Sequence, residues 1–453
     1  MRLGLGVDTG GTYTDAVIFD FQKDRVIATA KALTTYEDLS MGISQAIEGL
    51  GAVEPSSVNL VSISTTLATN SVVEGKGGRA CLILIGYDPD VVEHYGGNVG
   101  LSLGDSVFFV KGRHDLYGNE IQALDLREVA RIASEIKDKV DAVAISSFLS
   151  VRNPQHELLA KRVIEDVAGL PVTCGHELTG ELNSLKRAAT AFLNARLIPV
   201  IRELIWAVRE SLRVRGIDAP LFVVQGDGSL ASAEVAMEKP IETVLSGPAA
   251  SALGGAYLSR ISDGIVIDMG GTTTDITVIE RGQPQKSLLG VEVGDWVTGV
   301  EAVDTRTVGI GGDSHVYINR NLDIEVGPRR VIPLCLAASH HPEILRELKR
   351  LEARGEYSSF VQATDFLALG KPIPGVKLSR REDDLFNALK SGPKSLFQLA
   401  SDLGLVHPYM IESSRIENLG LIQRIGLTPT DILHAEGAYS EWNEEASKIA
   451  VGM

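Results

Sequence analysis

Two octapeptides in this chain carry residue types suited to phosphate chemistry. Asp8-Thr-Gly-Gly-Thr-Tyr-Thr-Asp15 and Asp268-Met-Gly-Gly-Thr-Thr-Thr-Asp275 share the first Asp, both glycines, two threonines and the final Asp. Adjacent glycines, Gly10 with Gly11 and Gly270 with Gly271, let a backbone turn tightly and bring N–H groups against phosphate oxygens with no Cβ in the way. The hydroxyls of Thr12, Thr14, Thr272 and Thr274 add donors. A carboxylate repels phosphate, so Asp8 and Asp268 read as residues that hold Mg²⁺ through water or orient an attacking group. One Gly-Gly-Thr between strands is also an ordinary hairpin turn; its recurrence favours the phosphate reading. Neither copy fits the GxxxxGK[ST] P-loop, and no GxGxxG follows the opening strand. Two such hairpins facing each other would clamp a triphosphate, which makes ATP and Mg²⁺ the expected cofactors.

Four further stretches offer groups for a ligand. Ser246-Gly247-Pro-Ala-Ala-Ser251 has the form of a helix start, with a Ser cap, a proline in the first turn and N–H groups able to receive a phosphate; the bland reading is a cap alone. Gly311 and Gly312 belong to a third glycine-rich turn, Val308 to Ser314, read as lining nucleotide or substrate, with a solvent turn as the alternative. Ser64 to Asn70 follows an apolar strand and gathers hydroxyls and an amide. Thr65, Thr66 and Asn70 are therefore expected to orient a carbonyl-bearing substrate or a water, against a packed-turn reading. Gln225 to Ser229 follows another apolar strand, where loops of α/β proteins reach a cleft. None of the nine histidines forms an HExxH-like ligand pattern, and Cys81, Cys174 and Cys335 show no CxxC spacing, so neither a transition metal nor a disulfide framework is signalled.

The elements that must position these groups alternate. Strands are expected at Leu3 to Val7, Ala16 to Phe19, Leu60 to Ser64, Ala80 to Ile85, Ala142 to Ser146 and Leu221 to Val224, with amphipathic helices at Leu126 to Val140 and Gln155 to Val167 between them, the pattern of an α/β protein. Asn183 to Arg215 reads as a long helical region that Pro199 should kink or divide, and as a bridge between lobes. From Arg380 to Arg424 come three short helical patterns, Glu382 to Leu389, Ser395 to Leu403 and Pro408 to Leu419, then a strand at Leu421 to Ile425. That succession resembles a winged helix. Its six basic and six acidic residues balance, so it lacks an electrostatic footprint for DNA.

At 453 residues the chain should form two or three domains. With 43 basic and 59 acidic residues its formal charge is -16, which disfavours nucleic acid or an anionic membrane as the main partner. No apolar run approaches the length of a membrane span and no secretory signal opens the chain, so a reducing cytoplasm is expected.

The duplicated turn points to the fold shared by actin, sugar kinases and the large heat-shock chaperones. Within that class the chain resembles the A subunit of the hydantoinase and 5-oxoprolinase family. The resemblance is carried, in order from residue 4 to 437, by GVDTGGTYTDAVIFD, TTLATNSVVEGKG, SFLSVRNPQHE, RAATAFLNARLIP, LSGPAAS, IVIDMGGTTTDI, VGIGGDS and LTPTDILHAEG. It implies a two-lobed actin-like ATPase fold, a duplicated ribonuclease H-like unit, here with a winged-helix-like insertion. The domains expected are 1–182 with the first phosphate loop, 183–379 with the second, the insertion at 380–426 and a return segment at 427–453.

The same resemblance implies Mg²⁺-ATP-dependent opening of a cyclic amide such as a hydantoin or 5-oxoproline, with a second, B-type subunit as partner. Ketone carboxylation and small-molecule phosphorylation are the alternatives within the fold. A metabolite-sensing regulator using the winged-helix-like segment is the alternative of another class. Arg187, Thr190 and Asn194 also fall on family-matching positions, at spacings that let them share a helix face or serve as packing contacts. Three positions depart from the family pattern: Ile63-Ser64 where many relatives have His-Gly, Arg306 where a histidine is common, and Asp313 where a third glycine is usual. The first removes an obvious general base, and the last alters how closely a ligand can approach.

Overall fold

The opening strand, β1 (Leu3–Thr9), buries Leu3, Leu5 and Val7 on one face, the period-two arrangement its sequence predicts. The computed structural model describes residues 2–11, 13–35, 39–51, 53–104, 106–319, 321–355, 361–370 and 376–453. They divide into two units, Met1–Val266 with Thr277–Thr305, and Ile267–Ile276 with Arg306–Met453. The class is α/β with mixed sheets.

In the first unit β1 pairs antiparallel with β2 (Tyr13–Asp20), which pairs antiparallel with β3 (Arg25–Leu33). On its other side β1 runs parallel to β4 (Val58–Thr65). The chain then enters β5 (Ala80–Ile85) and β6 (Val107–Val110), a short hairpin of β7 (Arg113–His114) with β8 (Glu120–Gln122), and β9 (Ala142–Ser147), β10 (Val172–Cys174), β11 (Leu221–Val224) and β12 (Leu230–Ser232). One sheet has the order β12-β11-β4-β1-β2-β3, the other β10-β9-β5-β6. Because β11 is parallel to β4 and β4 to β1, Thr9, Thr65 and Val224 all end their strands at one edge. That shared carboxyl edge is where the first unit collects its polar loops. Every residue of β5 and β9 is buried, as in parallel strands covered on both faces.

The long helical region is one helix, Ser184–Val214, unbroken at Pro199. The expected division does not occur; Gly78 N–H donates to the Arg196 carbonyl at 2.8 Å, beside the proline ring. The helix lies wholly in the first unit and links its two sheets. Leu193, Leu197, Ile201 and Leu204 pack with the core of the first sheet, and Ala188, Ala189, Ala191 and Ala195 with that of the second. Small residues on that second stripe allow the close approach.

A hairpin of β13 (Gly264–Met269) and β14 (Thr274–Glu280) carries the second octapeptide. Its turn, residues 267–276, belongs to the second unit. There Ser314–Ile318 pairs antiparallel with Ile324–Arg330, and a small mixed sheet runs Ile332–Pro333, Ile422–Gly426, Phe366–Leu369, Lys394–Ser395. Two of the three short helical patterns form as Arg380–Ala388 and Leu396–Asp402. The third splits into a 3₁₀ turn, Pro408–Met410, and a short helix, Ser414–Asn418, because Ile411 between them is extended. Among the described residues no helix is long and apolar enough to cross a membrane.

Candidate functional site

In the first unit the β1–β2 register sets Asp8 directly opposite Asp15 and Thr9 opposite Thr14. The turn closes with Gly10 N–H donating to the Tyr13 carbonyl at 3.0 Å, and a Cβ on Gly10 would lie 3.0 Å from that same oxygen. Gly10 is thus a steric requirement of the turn. Gly11 is exposed at its tip, and Thr12 lies outside the described residues. Thr14 is buried. Its hydroxyl sits 3.1 Å from that of Thr34, which donates to the Gly10 carbonyl at 2.9 Å, so Thr14 is the donor to Thr34 and the pair braces the turn from beneath.

Asp8 receives a hydrogen bond from Ser64 Oγ at 2.6 Å. The sequence placed Ser64 in a hydroxyl-rich stretch and at a position where glycine is common; its place beside Asp8 follows from the parallel β1–β4 register, which pairs the two positions. Thr65 is buried, with its hydroxyl donating to the Thr9 carbonyl at 3.3 Å and accepting from Leu67 N–H at 3.0 Å. Thr66 and Asn70 are half-buried and joined by an Asn70 Nδ2 donation to Thr66 Oγ1 at 3.3 Å. Of the three residues expected to orient a carbonyl, Thr65 turns inward and the other two remain accessible.

The Ser246–Ser259 helix starts against this edge. Ser246 does not cap it: the N-cap position is Leu245, in the left-handed region at φ 62°, and the Ser246 hydroxyl instead accepts from Thr65 N–H at 3.2 Å and donates to the Thr65 carbonyl at 2.9 Å. A buried hydroxyl that engages both peptide groups of one residue fixes the helix start onto β4. Gly247 lies beside Thr66, whose Cγ2 would be 3.4 Å from a Cβ there. Asp8, Thr65, Thr66, Asn70, Ser246 and Gly247 are therefore brought together at one edge of the first unit.

The second unit repeats the device. Gly270 N–H donates to the Thr273 carbonyl at 2.9 Å, the counterpart of Gly10 with Tyr13. Thr274, like Thr14, is buried, and its hydroxyl donates to the Ile310 carbonyl at 2.6 Å. Asp268, Gly270, Gly271 and Thr272 are exposed. The third glycine turn lies on this one: Gly312 N–H donates to the Gly270 carbonyl at 2.8 Å and Asp313 N–H to the Gly271 carbonyl at 2.7 Å. A Cβ on Gly311 would sit 2.6 Å from Gly271 backbone atoms, which explains the glycine. Thr430, at the start of the Pro429–Glu436 helix, holds the Gly312 carbonyl from the other side.

Charge at the second turn is arranged in two pairs. Burial pushes the Asp275 carboxyl up, the Thr307 hydroxyl at 2.6 Å opposes this, and the charge of Asp268 adds to the rise. Burial also raises Asp313, against the opposing guanidinium of Arg330 at 2.8 Å. The Asp313 carboxylate lies over Gly271, where a Cβ would be 2.9 Å from Oδ2. The departure from glycine at 313 thus brings its own counter-charge, Arg330, which no spacing in the sequence indicated.

Arg187, Thr190 and Asn194 do share a helix, but all are fully buried and structural. Arg187 donates to the carbonyls of Glu181, Ser147 and Phe148 at 2.7–2.9 Å and to Ser150 Oγ at 3.1 Å. Among the described residues Glu157, Cys174 and His176 could jointly reach a metal ion. However, the Glu157 oxygens already accept from Ser147 N–H, His176 N–H and the His176 ring, and burial pushes the Cys174 thiol up.

Known proteins share this framework. Caprolactamase subunit alpha of Pseudomonas jessenii is 29% identical over 356 residues, 72% of this chain and 50% of that one. The gamma subunit of acetophenone carboxylase from Aromatoleum aromaticum is 26% identical over 363 residues, 72% of this chain and 49% of that one. The crystal structure of ATP-dependent caprolactamase from Pseudomonas jessenii superposes with a TM-score of 0.60 at 24% identity, covering 92% of this chain and 62% of that one, a likeness of fold. The chain spans about half the length of the curated relatives it matches. Residues 4–168 match the hydantoinase/oxoprolinase N-terminal region and residues 187–333 the hydantoinase/oxoprolinase family. These stretches contain both octapeptides, the threonine-rich edge, Ser246 and the third glycine turn, so the chain belongs to the hydantoinase/oxoprolinase family.

Proposed function

We propose that this chain is the ATP-binding subunit of a Mg²⁺-ATP-dependent amidohydrolase that activates the carbonyl of a cyclic amide, such as a hydantoin or 5-oxoproline, for ring opening. The observation that carries the reading is the glycine turn built twice with matching internal bonds, Gly10 to Tyr13 and Gly270 to Thr273, each following a strand whose penultimate residue is an aspartate. The residues fit the cofactor: exposed glycines at both tips leave space that a Cβ would fill, and Asp8 and Asp268 supply carboxylates of the kind that hold Mg²⁺ through water. When bound, Mg²⁺-ATP would supply a phosphoryl group to the amide oxygen, which makes the carbonyl carbon electrophilic toward water so that the ring C–N bond can break.

The chain's own residues divide the remaining work. Ser64 fixes the orientation of Asp8. Gly271 and the start of the Ser246–Ser259 helix, with Gly247, offer N–H groups to phosphate oxygens and Thr272 offers a hydroxyl, while Gly10 and Gly270 close the turns with their own N–H groups and Gly11 keeps the first tip clear of a side chain. Thr14 and Thr274, bonded inward, keep the turns in shape. Thr66 and Asn70 are placed to hold a carbonyl or a water, with Thr65 holding the local backbone. Gly311 and Gly312 support the second turn.

The order β3-β2-β1-β4, with a second hairpin that carries an aspartate just before its glycine turn, supports an actin-like ATPase fold of the ribonuclease H type. The helices and strands within 380–426 support a winged-helix-like insertion. A B-type partner subunit and a cytoplasmic site of action complete the reading; relatives named as subunits support the former.

The similarity to an acetophenone carboxylase subunit favours a second reading, ketone carboxylation with the same ATP half. Product analysis separates the two. Purified chain, with and without co-purifying protein, is incubated with Mg²⁺-ATP and a panel of lactams, hydantoins and ketones. An opened ring with phosphate release supports the proposal, a carboxylated ketone supports the second reading, and no stimulation by any cyclic amide sinks the first.

A further inference from the structure

The first unit contains a cavity of about 240 Å³ that none of the glycine turns lines. Its apolar walls follow from strand pairing. Leu5 and Ile18 stand directly opposite each other in the β1–β2 register and so share a face of the sheet, and Ile47 and Leu50, near the end of the Leu39–Gly49 helix, line the cavity with them, as do Val53 and Val58. Val58 opens β4 and Ile217, also in the lining, precedes β11. The cavity therefore sits toward the amino ends of these parallel strands, away from the carboxyl edge that carries Thr9 and Thr65. An apolar cavity of this kind stays dry and takes up apolar molecules; with about 30 Å³ to each water-sized group it holds roughly eight non-hydrogen atoms.

Among the described residues of its lining, Arg215 is the one cation and Glu48 the one anion. The Arg215 side chain is only 20% exposed, yet it donates to neutral oxygens alone: the Ser44 carbonyl at 2.8 Å, the Ser211 carbonyl at 2.9 Å and Ser44 Oγ at 3.4 Å. Glu48 stays 3.9 Å away with its side chain 77% exposed, where water screens the pair. Other buried guanidiniums are more fully engaged. Arg424 donates to Asp365 Oδ2 at 2.6 Å and to both oxygens of Glu417 at 2.9 and 3.1 Å. Burial disfavours ionisation of Asp365, but His315 and Arg424 outweigh it and hold the carboxyl below its ordinary range. Arg187 meets neutral acceptors with all three of its nitrogens. Arg215 leaves Nε without a partner, at the wall of an apolar cavity. A carboxylate that carries a hydrocarbon tail satisfies both features at once, because a guanidinium binds it through charge-assisted hydrogen bonds and the tail fills the void.

We propose that this cavity binds a short-chain aliphatic monocarboxylate of about hexanoate size, its chain among Leu5, Ile18, Ile47 and Val58 and its carboxylate on Arg215. Leu5 lies three residues before Asp8 on the same strand, so the ligand sits at the far end of the strand that leads into the first glycine turn. Binding needs no nucleotide, which makes the site independent of the proposed reaction.

Binding is measured by ligand-observed NMR titration of the full chain without nucleotide. The probes are propanoate, butanoate, pentanoate, hexanoate, octanoate and hexanamide. Each added methylene up to hexanoate should tighten binding about fourfold, and octanoate, too long for the cavity, should bind no more tightly than hexanoate. Hexanamide, of equal length without the charge, should bind at least about tenfold more weakly than hexanoate. Arg215→Gln should bring hexanoate and hexanamide to the same affinity while keeping the dependence on chain length. Val53→Phe, which fills the cavity from its wall, should weaken hexanoate at least about tenfold, with both melting temperatures near wild type. No binding of any carboxylate, no gain with chain length, a gain that continues through octanoate, or a preference for hexanoate over hexanamide that survives in Arg215→Gln would overturn the proposal.

Discussion

A single hydroxyl decides how Asp8 is presented. Ser64 Oγ bonds its carboxylate at 2.6 Å, so Ser64→Ala should leave the fold intact, raise the Mg²⁺ concentration for half-maximal ATPase several-fold and lower kcat by about tenfold, the effect of one hydrogen bond to a charged group. Unchanged Mg²⁺ dependence would show that Ser64 does not position Asp8. At this scale much of the site was legible in the sequence. Gly10 and Gly311 stand where the chain passes too close to another backbone for a Cβ. What the sequence could not show was direction: Thr14, Thr65 and Thr274 have the same chemistry as Thr66 and Thr272 but turn inward, because side-chain direction follows register and neighbours rather than residue type.

Elements were read well where periodicity was strong and poorly where tertiary contacts intervened. The strands Ala80–Ile85 and Leu221–Val224 have the bounds their apolar runs predict. Pro199 does not divide its helix, whose residues on both sides of the proline, Leu197, Ile198 and Ile201, are held in the core, and Ser246 failed to cap because its hydroxyl is taken by Thr65. The Ser184–Val214 helix is anchored by Arg187, whose guanidinium satisfies three carbonyls and a hydroxyl in the interior. Each buried acceptor left alone costs about 1–3 kcal/mol. Arg187→Met should therefore destabilise the first unit by at least about 3 kcal/mol, seen as a lower urea midpoint, and an unchanged midpoint would contradict the anchoring role.

Across the whole molecule the two units carry the same glycine-turn device and different charge arrangements. The Asp365 carboxyl of the second unit is held below the range of an unfolded chain, near 3.9. A depressed carboxyl contributes stability above its unfolded value and loses it as pH falls toward the folded one. The second unit should thus lose stability below about pH 4, and Asp365→Asn, though less stable at pH 7, should show a shallower acid loss in melts between pH 5 and pH 3. Equal slopes would mean that Asp365 titrates normally.

The central claim is that both octapeptides serve one Mg²⁺-ATP-dependent reaction, and it is tested by replacing each aspartate separately. Phosphate release is measured at saturating Mg²⁺-ATP with a cyclic amide that stimulates the wild type and with any partner subunit present. Asp8→Asn and Asp268→Asn should each reduce turnover by at least about a hundredfold, with circular dichroism and melting temperature near wild type. Wild-type turnover in either variant would contradict the account.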